Sequence, residues 1–139
     1  MDITKTAVAD TAAIHLKDAK GEFLFDADSN PVRIHVYGPG SKQFAAIEAK
    51  QSARALKRMQ DNDGKFSAPA PEVRAKEAAE DLAAITAIFE NFTYPAAAGK
   101  TGAELFEALY LDRSLGFITR QVTRFLDDWG NFSGGSATS

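Results

Sequence analysis

The sequence contains no cysteine among its 139 residues, which removes disulfide staples, thiolate nucleophiles and thiolate metal sites together. Stability has to come from packing. Histidine is nearly as scarce, with His15 and His35 alone, and tryptophan occurs once, as Trp129. No uncharged apolar run reaches the roughly 18 residues that span a bilayer, and Met1 to Ala13 has no basic start followed by an apolar stretch. No membrane partner is expected, and the default location is the cytoplasm. Excess positive charge is missing too, since the formal net charge is −3. Divided after Pro71, where the composition changes, the first part carries ten Lys/Arg against nine Asp/Glu and the second six against ten. A phosphate binder usually gathers cations on one face. The nearest candidate, Lys50, Arg54, Lys57 and Arg58, reads as the solvated side of a helix rather than a nucleic-acid stripe.

What is present suits one α+β domain. Hydrophobic residues make up 45% of the chain, but alanine supplies many of them and buries little area, so large core anchors are few. From Ile14 the letters alternate between apolar and polar, and Val32, Ile34 and Val36 oppose Arg33, His35 and Tyr37 in the same way. That is the period of half-buried strands. Phe23, Leu24 and Phe25 precede a turn-forming cluster from Asp26 to Pro31. These elements predict a small N-terminal antiparallel sheet, whose apolar face needs a helix or a partner to cover it.

Gly38, Pro39 and Gly40 stop the last strand, and Ser41 is placed to cap a helix from Lys42, with Phe44, Ile47, Gln51, Ala55, Leu56 and Met59 near one stripe. Proline in the stretch from Lys65 to Pro71 predicts an extended loop. A second helix is expected over Glu72 to Phe92, with Leu82, Ile85, Ile88, Phe89 and Phe92 at spacings of three and four. Thr101 and Glu104 have capping-box spacing before a short third helix. Ser114 is placed to cap a fourth, whose stripe of Leu115, Ile118, Val122, Phe125, Leu126 and Trp129 is the clearest amphipathic signal. The expected organisation is a flexible 1–12, a single domain over 13–132 and a disordered tail over 133–139. Within the domain lie a sheet at 13–38, a helix at 41–61, a linker at 62–71 and a helical region over 72–132, giving about four helices in all. No internal repeat is visible.

Motifs that would carry chemistry are missing or incomplete. His15 and His35 sit on the polar face of their strands without a carboxylate cluster at metal-ligand spacing, so cross-strand polar pairing is the ordinary reading. Asp26, Asp28 and Asn30 begin like a calcium loop, but Pro31 stands where that motif needs glycine, and the glutamate at its twelfth position is missing. Gly38 to Lys42 lacks both the dinucleotide glycine spacing and the G-K-[ST] order of a P-loop. Asp127 and Asp128 are adjacent and point apart on a helix. No serine has an activating base at a motif spacing. No catalytic, cofactor-binding or metal-ligating residue is assigned, and the chain is not expected to be an enzyme. The last segment mixes residue types that interfaces favour, as Arg120, Arg124, Phe125 and Trp129. Their ordinary alternative is core packing.

Two segments, NPVRIHVYGPGSKQFAAIEAKQSARALKRMQ (Asn30 to Gln60) and LYLDRSLGFITRQVTRFLDDWGNF (Leu109 to Phe132), resemble the tail assembly chaperones of long-tailed bacteriophages and their prophage versions. The shared features are a strand ending in a G-P-[small]-S turn before a basic helix, and later L-Y-x-D…F-[IL]-x-x-Q-V…F-[LI]-x-D…N-F. The matches cover about two fifths of the chain. The resemblance implies a non-catalytic protein in the bacterial cytoplasm that escorts the tape measure protein, recruits tail tube subunits and is absent from the finished virion. It also implies that a longer frameshifted product is common. No cofactor is implied, self-association is left open, and Phe117, Arg120, Phe125 and Trp129 are the positions chosen for partner contact. The alternative reading is a structural virion protein, a tail or head-completion component whose sheet would extend a neighbour's.

Overall fold

The computed structural model describes residues 1–65 and 68–133. It is an α+β fold in which a three-stranded antiparallel sheet, ordered β1-β2-β3, packs on helices. β1 (Thr11–His15) pairs with β2 (Arg33–Tyr37), placing Ala12 opposite Val36 and Ile14 opposite Ile34. The alternation in the sequence sets which face is inside. Ile14, Ile34 and Val36 are buried, whereas His15, Arg33 and His35 lie on the other face.

The chain between β1 and β2 makes two turns of the same design. In each, an aspartate Oδ1 accepts two backbone N–H groups, Asp18 from Lys20 and Glu22 at 2.9 and 3.0 Å, Asp26 from Asp28 and Asn30 at 2.9 Å. Gly21 and Ser29 supply the left-handed residue, at φ 87° and 65°. Both are Asx-type turns. They form a tandem repeat that the sequence hid because only the aspartate and the following alanine are shared. Bridges Lys17 to Phe23 and Phe25 to Pro31 close them.

The helices are α1 (Lys42–Asp61), α2 (Pro71–Ala84), α3 (Gly102–Leu111) and α4 (Gly116–Leu126). Ser41 caps α1 as its sequence position predicts: its hydroxyl accepts from the Phe44 N–H at 3.2 Å and donates to the Gly38 carbonyl at 2.7 Å. The second helix is shorter than expected. It ends at Ala84, and Thr86–Glu90 form β3 against β2. Local periodicity is overridden by the edge of β2, which needs a partner, and by the β-branched Ile85, Thr86 and Ile88, which suit a pleated surface. The switch is held by the Ile85 carbonyl accepting from Tyr37 N–H at 2.7 Å, and by the Thr86 hydroxyl, 2.7 Å from both the Leu82 carbonyl and the Tyr110 hydroxyl. The sheet is therefore not confined to the N-terminal third.

Two expected caps differ. Thr101 stands at the N-cap of α3 but makes no side-chain cap bond, with Gly102 at φ 57°. Ser114 lies inside a 3-10 turn (Arg113–Leu115) that Asp112 caps, and α4 starts after it at Gly116. Trp129 falls beyond the end of α4, in a 3-10 turn (Trp129–Phe132), and so is not part of the helical stripe.

Sheet and helices share one core, in which Ile14, Leu16, Ile34 and Val36 meet Ala79, Ala83, Leu109, Ile118, Val122, Leu126 and Phe132. The start of the chain joins it. Val8 packs against the core, Ala9 N–H donates to the Phe132 carbonyl at 2.9 Å, and β1 begins at Thr11, so the domain starts before residue 13. The G-P-G turn takes its glycines from this closure: a Cβ on Gly38 would run into the Phe132 ring, and one on Gly40 would lie 2.8 Å from Val8 Cγ2. Of the expected tail, Ser133 is described and 134–139 lie outside the described residues, as do 66 and 67 of the linker.

Candidate protein-binding surfaces

The four residues chosen for partner contact divide in two. Phe117 and Phe125 are half-buried against the core, and Phe125 meets Phe132 edge-on with ring centroids 5.4 Å apart. Their packing role comes first. Arg120 is exposed on α4, and Trp129 is 56% exposed at the end of the domain. Trp129 borders the G-P-G turn, its ring 3.6 Å from where a Cβ on Gly40 would stand. The structure therefore brings Trp129 beside Gly40 and does not bring all four side chains onto one open face.

The basic stripe of α1 is solvated at Lys50 and Lys57, as expected, but not at Arg54 and Arg58. Arg54 makes a two-pronged bond to Asp81 of α2, Nη1 to Oδ2 at 2.9 Å and Nη2 to Oδ1 at 2.8 Å, and Gln51 donates to the same carboxylate at 3.1 Å. Arg58 pairs with Glu77, and Lys57 with Asp61 at 3.3 Å. The hydrogen bonds that Arg54 donates to Asp81, with the negative charges of Asp81, Glu77 and Glu80 nearby, hold its guanidinium above the ordinary pKa. This network turns Arg54 and Arg58 toward α2. Leu56 and Met59, expected on the core stripe beside Phe44 and Ile47, are instead exposed, at 57% and 41%, since Leu56 stands half a turn round the helix from Ile47. No residue of α1 is fully buried.

The outer face of the sheet carries both histidines, but they do not converge. His15 Nε2 lies 2.9 Å from the Leu24 carbonyl and its ring stacks on Phe23 at 4.4 Å. His35 Nε2 lies 2.8 Å from Glu90 Oε1. That hydrogen bond, with Arg33 also near, holds the Glu90 carboxyl below its ordinary range. Phe23, Phe25 and Ile88 on this side are each about half exposed, and Lys17 Nζ sits 4.8 Å above the Phe23 ring. Among the described residues no group of three or more His, Cys, Asp or Glu side chains could hold a metal ion. No helix among them is long and apolar enough to cross a membrane.

A further surface went unseen in the sequence because it depends on β3. A groove of about 450 Å³ opens beside the end of that strand, lined by Ile88, Phe89, Phe92, Tyr94, Leu105 and Phe106, with Lys100 its one charged side chain among the described residues. Phe89 contacts Phe92 and Phe106 at ring-centroid distances of 4.7 and 4.6 Å. The Tyr94 hydroxyl donates to Asp112 at 2.6 Å, which fixes one wall, raises the phenol pKa and helps to lower that of the carboxyl. The signal available in sequence was the run from Ile85 to Phe89, read as helix.

No protein-family model, curated protein or solved structure matches this chain.

Proposed function

We propose that the chain is a non-catalytic assembly factor that binds other proteins, in the manner of a phage tail assembly chaperone working in the bacterial cytoplasm on the tape measure and tail tube proteins. The observation that carries this reading is spatial. The two segments that resemble such chaperones are far apart in sequence, yet they meet around the G-P-G turn, where Phe132 covers Gly38 and Trp129 borders Gly40. A shared structural unit would tie those two motifs together. The apolar side chains left in water on the outer sheet face, on α1 and at Trp129 also suit a carrier of apolar client segments.

Co-expression with a tape measure protein and a tail tube protein from the same genome, followed by size exclusion, tests it. Co-elution that is weakened by Trp129→Ala, in a variant with an unchanged circular dichroism spectrum, is the expected result. Failure to bind either client, with the chain found in purified particles, would replace this reading with that of a structural virion protein.

A further inference from the structure

The β3 strand has an open edge. Tyr37 N–H points to the Ile85 carbonyl, whereas Leu16 N–H reaches the Val32 carbonyl from the other side of β2. That alternation turns the backbone of Arg33 and His35 toward their β3 partners Glu90 and Ile88, and leaves the N–H and C=O of Phe89 pointing away from the sheet. In the non-helical stretch that follows, the N–H groups of Phe92, Thr93 and Tyr94 donate to no backbone carbonyl among the described residues. The opposite edge is treated differently. There the Gln121 side chain accepts from Lys17 N–H at 2.8 Å and donates to the Lys17 carbonyl at 2.7 Å, capping the backbone just past β1.

The groove opens at the C-terminal half of this edge and continues along the residues that follow it. Ile88 lies on the outer face with His35, and Phe89 on the inner face with Ile34, and both line it. A polypeptide there would have backbone groups to pair with and apolar walls for alternate side chains, the two requirements of strand addition. Lys100, in no ion pair among the described residues, adds a preference for negative charge at that end, moderated by Glu104 and Glu107, which line an adjoining pocket with it.

We infer that the β3 edge and its groove form a strand-addition site for an extended, alternately apolar segment of another protein that carries a carboxylate facing Lys100. A second copy of this chain fits poorly. In a symmetric β3–β3 pairing the side chain offered to the groove would be Phe89, already packed on Phe92 and Phe106, and the nearby carboxylate, Glu90, is engaged by His35. This assignment deepens the protein-binding reading but does not depend on the client named there, because a client could bind through Trp129 alone and leave this edge empty.

The test is to pan a random twelve-residue peptide library against the full chain, with Ile88→Arg as counter-selection. The selected peptides are then mapped by amide chemical shifts. Enriched sequences should alternate apolar and polar residues and contain Asp or Glu. Their shifts should centre on Phe89 to Tyr94, and N-methylation of alternate peptide amides should abolish binding on one side of the strand only. Lys100→Glu should weaken binding about fivefold and leave the chain's own spectrum unchanged. No enrichment, peptides with helical spacing, shifts centred on α1 or α4, or a dimer that Ile88→Arg dissolves would each overturn the assignment.

Discussion

The sheet with its lining helices and the long helix α1 are held by opposite means. In the body, Ile34, Val36 and Val122 are wholly excluded from water, and charge is unwelcome, as Tyr110 shows: burial pushes its phenol up to about 12. α1 has no fully buried residue, rests on the half-buried Phe44 and Ile47 at its base, and is fastened further along by Arg54 and Arg58 to the carboxylates of α2. The difference teaches that an amphipathic pattern does not decide its own partner. The face of α1 that carries Phe44 and Ile47 also carries Arg54 and Arg58, which pair with α2, while Leu56 stands half a turn round from Ile47 and stays in water.

The comparison can be broken from either side. Ile34→Ala should have the largest effect, about 2–5 kcal/mol of lost stability from transfer and cavity terms, read as a shifted denaturant midpoint for the whole domain. A loss confined to one helix would contradict a shared core. The body's intolerance of charge gives the next effect. Because the folded phenol of Tyr110 titrates above the unfolded one, its stabilising contribution is complete below pH 10. It is lost as pH rises toward about 12, by up to about 3 kcal/mol. Tyr110→Phe should flatten the alkaline limb of the stability–pH curve while removing the hydrogen bond to Thr86.

Asp81→Ala should cost about 2 kcal/mol, since it leaves a mostly buried guanidinium without its main partner. Its signature should be local, with amide exchange faster along α1 and unchanged in β1 and β2. Equal acceleration in both would erase the distinction between the regions. Ser41→Ala should be smallest, about 1 kcal/mol, from the lost helix cap, and seen in thermal midpoint.

How much of this was legible in the sequence follows the same division. β1, β2, the Ser41 cap and the buried stripe Ile118, Val122 and Leu126 were readable because local pattern and final environment agree. β3 was not, since Ile85, Ile88, Phe89 and Phe92 satisfy helical spacing and only the waiting edge of β2 makes a strand of them. The Arg54–Asp81 bond was likewise hidden. It joins residues 27 apart in sequence, on elements whose relative placement no local pattern specifies. Of the residues chosen for partner contact, Arg120 and Trp129 lie on the surface, whereas the aromatic character that singled out Phe117 and Phe125 serves the core. The groove beside β3 was invisible for the same reason as the strand.

The most direct test of the protein-binding account is hydrogen exchange by mass spectrometry on the full chain, alone and in the presence of the co-expressed tape measure protein. The account predicts slowed exchange in the presence of that client around Trp129, extending to Phe89–Tyr94 where the client also adds a strand to the β3 edge, with the buried strands β1 and β2 unchanged. Identical exchange with and without the client, at concentrations where the rest of the chain remains folded, would contradict it.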